Sequence, residues 1–184
     1  MQVRSLVGAI MAVTLAATSA ASYAKDQGHG VITFRGAIID APCSIAQESQ
    51  YQIVDLDQVS NVTLKNGGKS NPKIFKIELR GCELGALKSA TATFTGSPSS
   101  NPDLLAIKGT AQGASLAIAD HAGTLIKLGE ASPAQTLSNG NNFLQFSAYL
   151  QGDMVTPGGG GQATPAEIVP GDFETLANFT LAYQ

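Results

Sequence analysis

The sequence predicts an antiparallel all-β protein, on the strength of two observations. From Gly30 onward, apolar residues tend to alternate with polar ones instead of recurring at helical spacing. Clusters of Gly, Pro, Asn and Ser interrupt the alternation every 8 to 15 residues or so, as turns between strands do. The predicted strands are residues 31–39, 44–46, 51–56, 73–79, 91–95, 115–120, 143–150 and 173–183.

Some short stretches do not fit the strand pattern. Residues 104–108, or the surroundings of Val59, are candidates for a short helix, but neither is long enough to change the fold class. The glycines of residues 158–161 have no side chains to pack and indicate a loop. A phosphate-binding loop would instead follow a strand and open a helix.

Residues 1–24 have the pattern of a secretory signal peptide. A short basic start containing Arg4 precedes an apolar stretch, and the small residues Ser22 and Ala24 flank a cleavage position. The apolar stretch is shorter than the roughly 20 residues of a membrane-spanning helix, so a retained anchor is the weaker interpretation. We therefore predict an exported protein whose mature chain begins near Lys25 and, at about 160 residues, forms one domain.

The charge balance argues against a nucleic-acid partner. The chain has 11 Lys and Arg against 14 Asp and Glu, and only 6% of its residues are aromatic. It also has no cluster of basic residues. Proteins that bind nucleic acids usually show a basic patch or stripe.

The two cysteines, Cys43 and Cys82, predict one disulfide, because an exported chain folds under oxidising conditions. A metal site is the alternative use of two cysteines, but it needs further ligands. The histidines, His29 and His121, do not have metal-binding spacing. No metal is therefore predicted.

The C-terminal strand alternates up to the last residue, Gln184. Chain ends fray unless something holds them, so both its apolar face and its backbone are expected to be held. One interpretation is that it is the last core strand of a complete sandwich; the other is that a further chain covers it. The residues that share its apolar face are Phe173, Thr175, Ala177, Phe179, Leu181 and Tyr183.

The N-terminal arm, residues 25–36, carries a second alternating series. Glycine weakens an ordinary strand because it loses more entropy and packs nothing, so a series rich in glycine favours a backbone that lies close along another surface. The alternative is a strand that pairs within its own domain. Val31 stands on the outward face and is apolar there. The inward series is Gly28, Gly30, Ile32, Phe34 and Gly36.

Three segments together resemble the pilins of the chaperone-usher family. Residues 30–36 and 38–45 resemble the start of a mature pilin, and residues 72–82 resemble the strand that carries the family's second cysteine. Gly171 stands fourteenth from the C-terminus and Tyr183 is penultimate, as in the family's C-terminal motif. The resemblance spans nearly the whole mature chain and is closest to the major rod subunits of type 1 and P pili.

This resemblance implies an all-β, incomplete immunoglobulin-like sandwich, residues 37–184, which lacks its last strand and is completed in trans by a donor strand. The partners it implies are further copies of the chain, other pilins of the fibre, a periplasmic chaperone and an outer-membrane usher. The location it implies is a cell-surface fimbrium. The implied donor residues are Gly28, Gly30, Ile32, Phe34 and Gly36, and the implied acceptor and chaperone-recognition residues are Gly171, Phe173, Phe179, Leu181 and Tyr183.

The sequence offers no catalytic constellation and implies no cofactor. It contains no Gly-x-Ser-x-Gly, no His-Glu-x-x-His and no phosphate-binding loop. The acid pair Asp55 and Asp57 is typical of a solvated strand face. We therefore do not expect an enzyme.

Non-catalytic alternatives remain. A tip adhesin carries a separate lectin domain in place of the arm, and the mature chain has room for one domain. A terminating subunit lacks a usable arm. A minor adaptor pilin of the same system, or a monomeric secreted β-sandwich that binds a ligand, would share most of the features above.

Overall fold

The structure, a computed structural model, describes residues 28–156 and 161–184. The predicted signal peptide and most of the predicted glycine loop lie outside the described residues. The chain divides into two compact units, Met1–Ile38 and Ile39–Gln184. Across the described part, no helix is long and apolar enough to cross a membrane.

The regular secondary structure of the second unit consists mainly of strands. Two single-turn helices, α1 (Gln47–Gln50) and α2 (Asn61–Leu64), and a 3-10 turn, Lys65–Gly67, precede the longest strands. The strands are β1 (Ser44–Ile45), β2 (Lys73–Cys82), β3 (Ser89–Gly96), β4 (Leu105–Ala106), β5 (Lys108–Gly109), β6 (Ala114–Asp120), β7 (Leu125–Ile126), β8 (Gln135–Thr136), β9 (Gly140–Gly152), β10 (Met154–Val155), β11 (Thr164–Pro165), β12 (Phe173–Glu174) and β13 (Ala177–Tyr183).

The larger sheet has the order β1-β2-β9-β6-β4, with β7 also paired to β6, and all its pairings are antiparallel. Its register places Phe75 of β2 opposite Phe146 of β9. Alternate side chains of β2 point inward, and Ile77 and Leu79 are completely buried. This alternation arises because successive side chains of a strand point to opposite faces.

The smaller sheet has the order β13-β3-β8 and packs against the larger one. Its buried face is formed by Ala90, Ala92 and Phe94 of β3. The Phe94 ring meets the Phe146 ring of the larger sheet edge to face, with centroids 5.0 Å apart. Such aromatic pairs stabilise a core by about 0.5–1.5 kcal/mol beyond the burial of their area, so this contact joins the two layers of the sandwich.

The all-β class is confirmed, but several predicted elements differ from the structure. No strand forms over residues 31–39 or 51–56, because a strand requires a neighbouring backbone to complete its hydrogen bonds. The helix considered at residues 104–108 is wrong, since this stretch forms β4 and β5 instead. A single helical turn does follow Val59, and the Ser60 side chain caps it by accepting from the Val62 N–H.

The predicted C-terminal strand is interrupted rather than continuous. Phe173 and Glu174 pair with β5, whereas the strand from Ala177 onward pairs with β3. Between them the Thr175 hydroxyl donates to the Ala106 carbonyl at 2.8 Å. The chain therefore changes partner at this corner, which strict alternation in the sequence does not reveal.

Candidate functional site: the open side of the sandwich

Strand β13 is the edge of the smaller sheet. One side of it pairs with β3 over seven residue pairs, from Ala177 opposite Gly96 to Tyr183 opposite Ala90. Along the described parts of the chain, no strand pairs with its other side. An edge strand of this length presents a row of backbone donors and acceptors to any chain that can add a strand.

The inward side chains of β13 are only partly covered. Phe179, Leu181 and Tyr183 pack against the core, yet each is half-buried, while Thr180 and Ala182 between them are exposed. Fully internal strands of the same sandwich bury their inward residues completely, as Leu144 and Phe146 do. The core is therefore incompletely covered along β13.

Residues 51–59, here called the edge segment, lie along the free edge of the larger sheet. The Gln52 side chain donates to the Lys76 carbonyl of β2 at 3.3 Å, and Asp57 forms a 2.9 Å ion pair with Lys73 at the start of β2. Leu56 and Val59 are half-buried against the same core that β13 touches. The edge segment contributes apolar side chains without joining the sheet.

The opposite side of the sandwich is closed. The connection from β7 to β8 is hydrogen-bonded to β3, with the Gly129 N–H donating to the Phe94 carbonyl and the Ser132 N–H donating to the Ala92 carbonyl, both at 2.8 Å. The uncovered apolar residues therefore lie on the other side, between β13 and the edge segment. We call this region the open side.

Two predicted acceptor residues lie apart from β13. Phe173 is in β12, where it pairs with Gly109 and is half-buried against the core. Gly171 lies against the loop before β6: an added Cβ would collide with the Thr110 hydroxyl and approach the Ala111 nitrogen to 2.6 Å. Only glycine allows this close approach, so the structure gives Gly171 a packing role at the turn before β12.

The arm belongs to the first unit and has no regular secondary structure over its described residues. Ile32 and Phe34 are 77% and 88% exposed. A Cβ added at Gly30 or Gly36 would meet nothing within 4 Å. Packing in this chain alone therefore does not explain Gly30, Gly36 or the exposed apolar side chains of the arm, whereas Gly28 has a φ of 140°, which favours glycine.

The predicted disulfide is confirmed. Cys43, just before β1, is bonded to Cys82 at the end of β2, and both are buried. The Glu83 N–H also donates to the Pro42 carbonyl at 2.9 Å. The bond closes a loop with a sequence separation of 39 residues, for which the chain-entropy model gives a stabilisation of about 4 kcal/mol.

Two ionisable groups at the open side have shifted pKa values. Burial raises the pKa of Tyr183, because desolvation disfavours the phenolate. The hydrogen bond from Lys73 to Asp57, together with the charge of Asp57, raises the pKa of that lysine.

Within the described ranges, no three His, Cys, Asp or Glu residues are grouped to hold a metal ion. His121 lies in the turn after β6, where the buried Asp120 accepts from the Ala122 and Thr124 N–H groups.

The main contribution that sequence reasoning missed is the edge segment. The sequence predicts a strand over residues 51–56 and a solvated acid pair, and both acids are exposed. The predicted strand does not form: Asp57 forms an ion pair with Lys73 of β2, and Leu56 packs against the core. The alternation of Val54 and Leu56 was the available signal, but it does not reveal that the segment stays unpaired.

A β-sandwich with one open side, together with an alternating apolar arm, defines a class of subunits that are completed by strand addition. Comparisons with known proteins support this class. The profile of the family described as "Fimbrial protein" matches residues 32–184. The chain is 56% identical to the Fimbria A protein of Serratia marcescens over 178 residues, which cover 95% of this chain and 97% of that protein.

A further relative and two solved pilus structures are also similar to this chain. The Major MR/P fimbria protein of Proteus mirabilis is 42% identical, with 95% of each chain covered. A structure of a chaperone-usher pilus, solved to explain rod uncoiling, matches with a TM-score of 0.68 and 32% identity, covering 86% of this chain and 97% of that one. The P pilus rod subunit PapA gives a TM-score of 0.64 and 30% identity, with coverage of 78% and 100%.

The chain therefore belongs to the fimbrial protein family. It is a structural pilus subunit with the incomplete immunoglobulin-like fold of these pilins. It polymerises with other pilins and is exported through the periplasm to the cell surface.

Proposed function

We propose that copies of this chain are joined into a rod by donor-strand exchange, in which the arm of one copy fills the open side of the next. The observation that carries the proposal is that one chain holds both halves of the contact. β13 offers an unpaired edge, judged over the described residues, with a half-buried apolar face. The arm offers Ile32 and Phe34 at alternate, exposed positions.

In this arrangement the inward residues of the arm lie over Phe179, Leu181 and Tyr183. Ile32 and Phe34 are the apolar anchors, and burying each contributes about 1.5–3 kcal/mol. Strand addition supplies main-chain hydrogen bonds for affinity, while alternate side chains give specificity. Gly28, Gly30 and Gly36 occupy positions where the arm backbone approaches the core closely.

The contact is head-to-tail, because the arm and the open side are different surfaces of one chain. Such contacts build open filaments when the rotation between subunits does not close a ring. The lasting integrity of the fibre comes mainly from slow unfolding, which is a kinetic property. The Proteus mirabilis relative is named a major fimbria protein, and PapA a rod subunit, which favours the rod over a minor adaptor.

The remaining partners follow from the same open side. Before assembly, an exposed edge strand with an apolar face is an aggregation hazard unless another chain covers it. A periplasmic chaperone that lends a strand meets this need, and chaperone–pilin complementation is a known instance of strand addition. An outer-membrane usher then exchanges that strand for the arm of the next subunit. The role is structural, without catalysis, and membership of a pilin family supports this.

The proposal is tested by two substitutions at neighbouring arm positions. Phe34→Asp places a charge where an apolar anchor should be buried, and it should abolish polymers. Thr33→Asp places the same charge on the outward face and should still assemble. The readout is the fraction of subunit that runs as heat-sensitive polymer on denaturing gels of sheared fibres. Normal polymers from the Phe34→Asp chain would contradict donor-strand exchange.

A further inference from the structure

The edge segment carries exposed side chains that its own domain leaves uncovered. Tyr51 and Ile53 are 90% and 98% exposed, whereas Leu56 and Val59 of the same segment pack against the core. Two exposed acids, Asp55 and Asp57, follow them along the chain. The outer surface of the segment is therefore apolar at its start and acidic towards its end.

The two acids are held differently. Asp57 has a left-handed backbone, with φ at 57°, and its carboxylate is paired with Lys73 at 2.9 Å. Asp55 accepts the Asp57 N–H at 2.9 Å and makes no ion pair with any described residue. The carboxylate of Asp55 is therefore held in place, exposed, and able to form an ion pair with a positively charged side chain.

The outward face of the arm has the matching order. Val31 is 92% exposed, and Arg35 follows four residues later, also exposed. Arg35 has no ion pair within the described part of the chain. When Ile32 and Phe34 point inward, Val31 and Arg35 must both point outward, because side chains alternate along a strand.

The direction of the inserted arm decides which groups meet. If the arm runs parallel to the edge segment, Val31 can fall beside Tyr51, and Arg35 then falls beside Asp55, because each pair of residues is four positions apart. If it runs antiparallel, Val31 falls beside the acids and Arg35 beside apolar side chains. Four residues of extended chain span about 13 Å, so Val31 with Tyr51 and Arg35 with Asp55 come into register together only in the parallel arrangement.

We propose that Arg35 of the inserted arm forms an ion pair with Asp55 in the edge segment of the neighbouring copy. This inference rests on the proposed donor-strand function. Asp57 already forms a direct ion pair with Lys73, whereas Asp55 only lies within electrostatic reach of that lysine, so Asp55 is the better partner. With this ion pair, the neighbouring subunit contacts both faces of the arm. β13 and the core contact the inward face, and the edge segment contacts the outward face. The ion pair thereby fixes the register of the strand.

The test is a charge exchange in the full-length chain. Fibres are prepared from cells that produce R35E, D55K or the double variant R35E/D55K, and the release of monomers is timed at one elevated temperature. Each single variant should release monomers about fivefold faster at low salt, a factor typical of an exposed ion pair. The double variant should return to the native rate, and differences should shrink in about 1 M NaCl, where charges are screened.

Two controls keep the result interpretable. Asp55→Asn keeps the acceptor for the Asp57 N–H and removes only the charge, so it should match D55K in direction if the charge matters. Glu130→Lys, at an exposed acid in the connection from β7 to β8, should not rescue R35E. If the effects of R35E and D55K on the rate of monomer release simply add in the double variant, the Arg35–Asp55 contact is wrong.

The Phe34→Asp chain separates this inference from the donor-strand function. If Phe34→Asp still blocks assembly, only the Arg35–Asp55 contact fails. If Phe34→Asp fibres are normal, the donor-strand function itself fails.

Discussion

Phe179 lies directly opposite Phe94 across the pairing of β13 with β3, yet only Phe94 is fully buried. Phe94 is covered by Phe146 and Phe75 of the facing sheet. Phe179 stands one strand closer to the open side, where no described strand completes its cover. The two rings therefore mark the boundary between the fully covered core and the part that this chain leaves half-buried along β13.

This boundary predicts unequal effects of two matched truncations in the free subunit. Phe94→Ala should lower the free energy of unfolding by about 3–5 kcal/mol, as large-to-small changes at buried aromatics do. Phe179→Ala should lower it by roughly half as much or less, because less apolar area leaves water at that site. Chemical denaturation of the purified subunits measures both, and equal losses would show that the open side is already closed.

A pair of glycine substitutions separates folding from assembly. Gly171→Ala should destabilise the free subunit by about 1–3 kcal/mol, because the new methyl group meets the Thr110 hydroxyl and the Ala111 nitrogen. Gly30→Ala should leave the unfolding midpoint unchanged, since an added Cβ meets nothing there. It should nevertheless slow polymerisation if the arm backbone lies close to its acceptor. If a Gly30→Ala chain polymerises at the native rate, the arm backbone does not lie close to its acceptor at this position.

Removal of the disulfide should weaken the fold without removing the open side. The double variant Cys43→Ser/Cys82→Ser should lose about 4 kcal/mol in unfolding free energy, reflecting the loop that the bond closes. The measurement is denaturant unfolding of the oxidised native protein and of the variant. A loss below about 1 kcal/mol would mean that the hydrogen bond between Glu83 and Pro42 and the pairing of β1 with β2 already fix this loop.

The raised pKa of Tyr183 predicts a dependence on alkaline pH. A group whose pKa is higher in the folded state than in the unfolded state contributes stability that is complete below the unfolded value, near 10, and falls as the pH rises through the folded value. The free subunit should therefore lose stability above about pH 10, and Tyr183→Phe should reduce that loss. Unfolding curves from pH 8 to 12 for both chains measure the difference, and identical pH dependence would contradict the assignment.

Much of the sandwich could be predicted from the sequence, because its strands follow the alternation that one-sided burial imposes. β2, β3 and β9 lie where apolar residues alternate between turn signals, whereas every residue of β6, which was also predicted, is buried. The disulfide was predicted because the chain has two cysteines and carries the pattern of an exported protein. Features of this kind depend on local sequence, which is why they could be found.

The elements that sequence reasoning misplaced depend on a backbone partner. Residues 51–56 alternate as a strand would, but the backbone of the edge segment does not pair with a strand. The Gln52 side chain makes the hydrogen bond to β2 instead. The interruption before Ala177 depends on β5 capturing Phe173 and Glu174. Such pairing is set by tertiary structure, so alternation alone could not reveal it.

The central claim is tested most directly by a high-resolution electron cryomicroscopy reconstruction of fibres made from this chain. The account predicts that the arm of each subunit forms a strand on β13 of its neighbour, with Ile32 and Phe34 covering Phe179, Leu181 and Tyr183. A reconstruction in which β13 keeps a free edge, or in which subunits meet through other surfaces while the arm lies elsewhere, would contradict it.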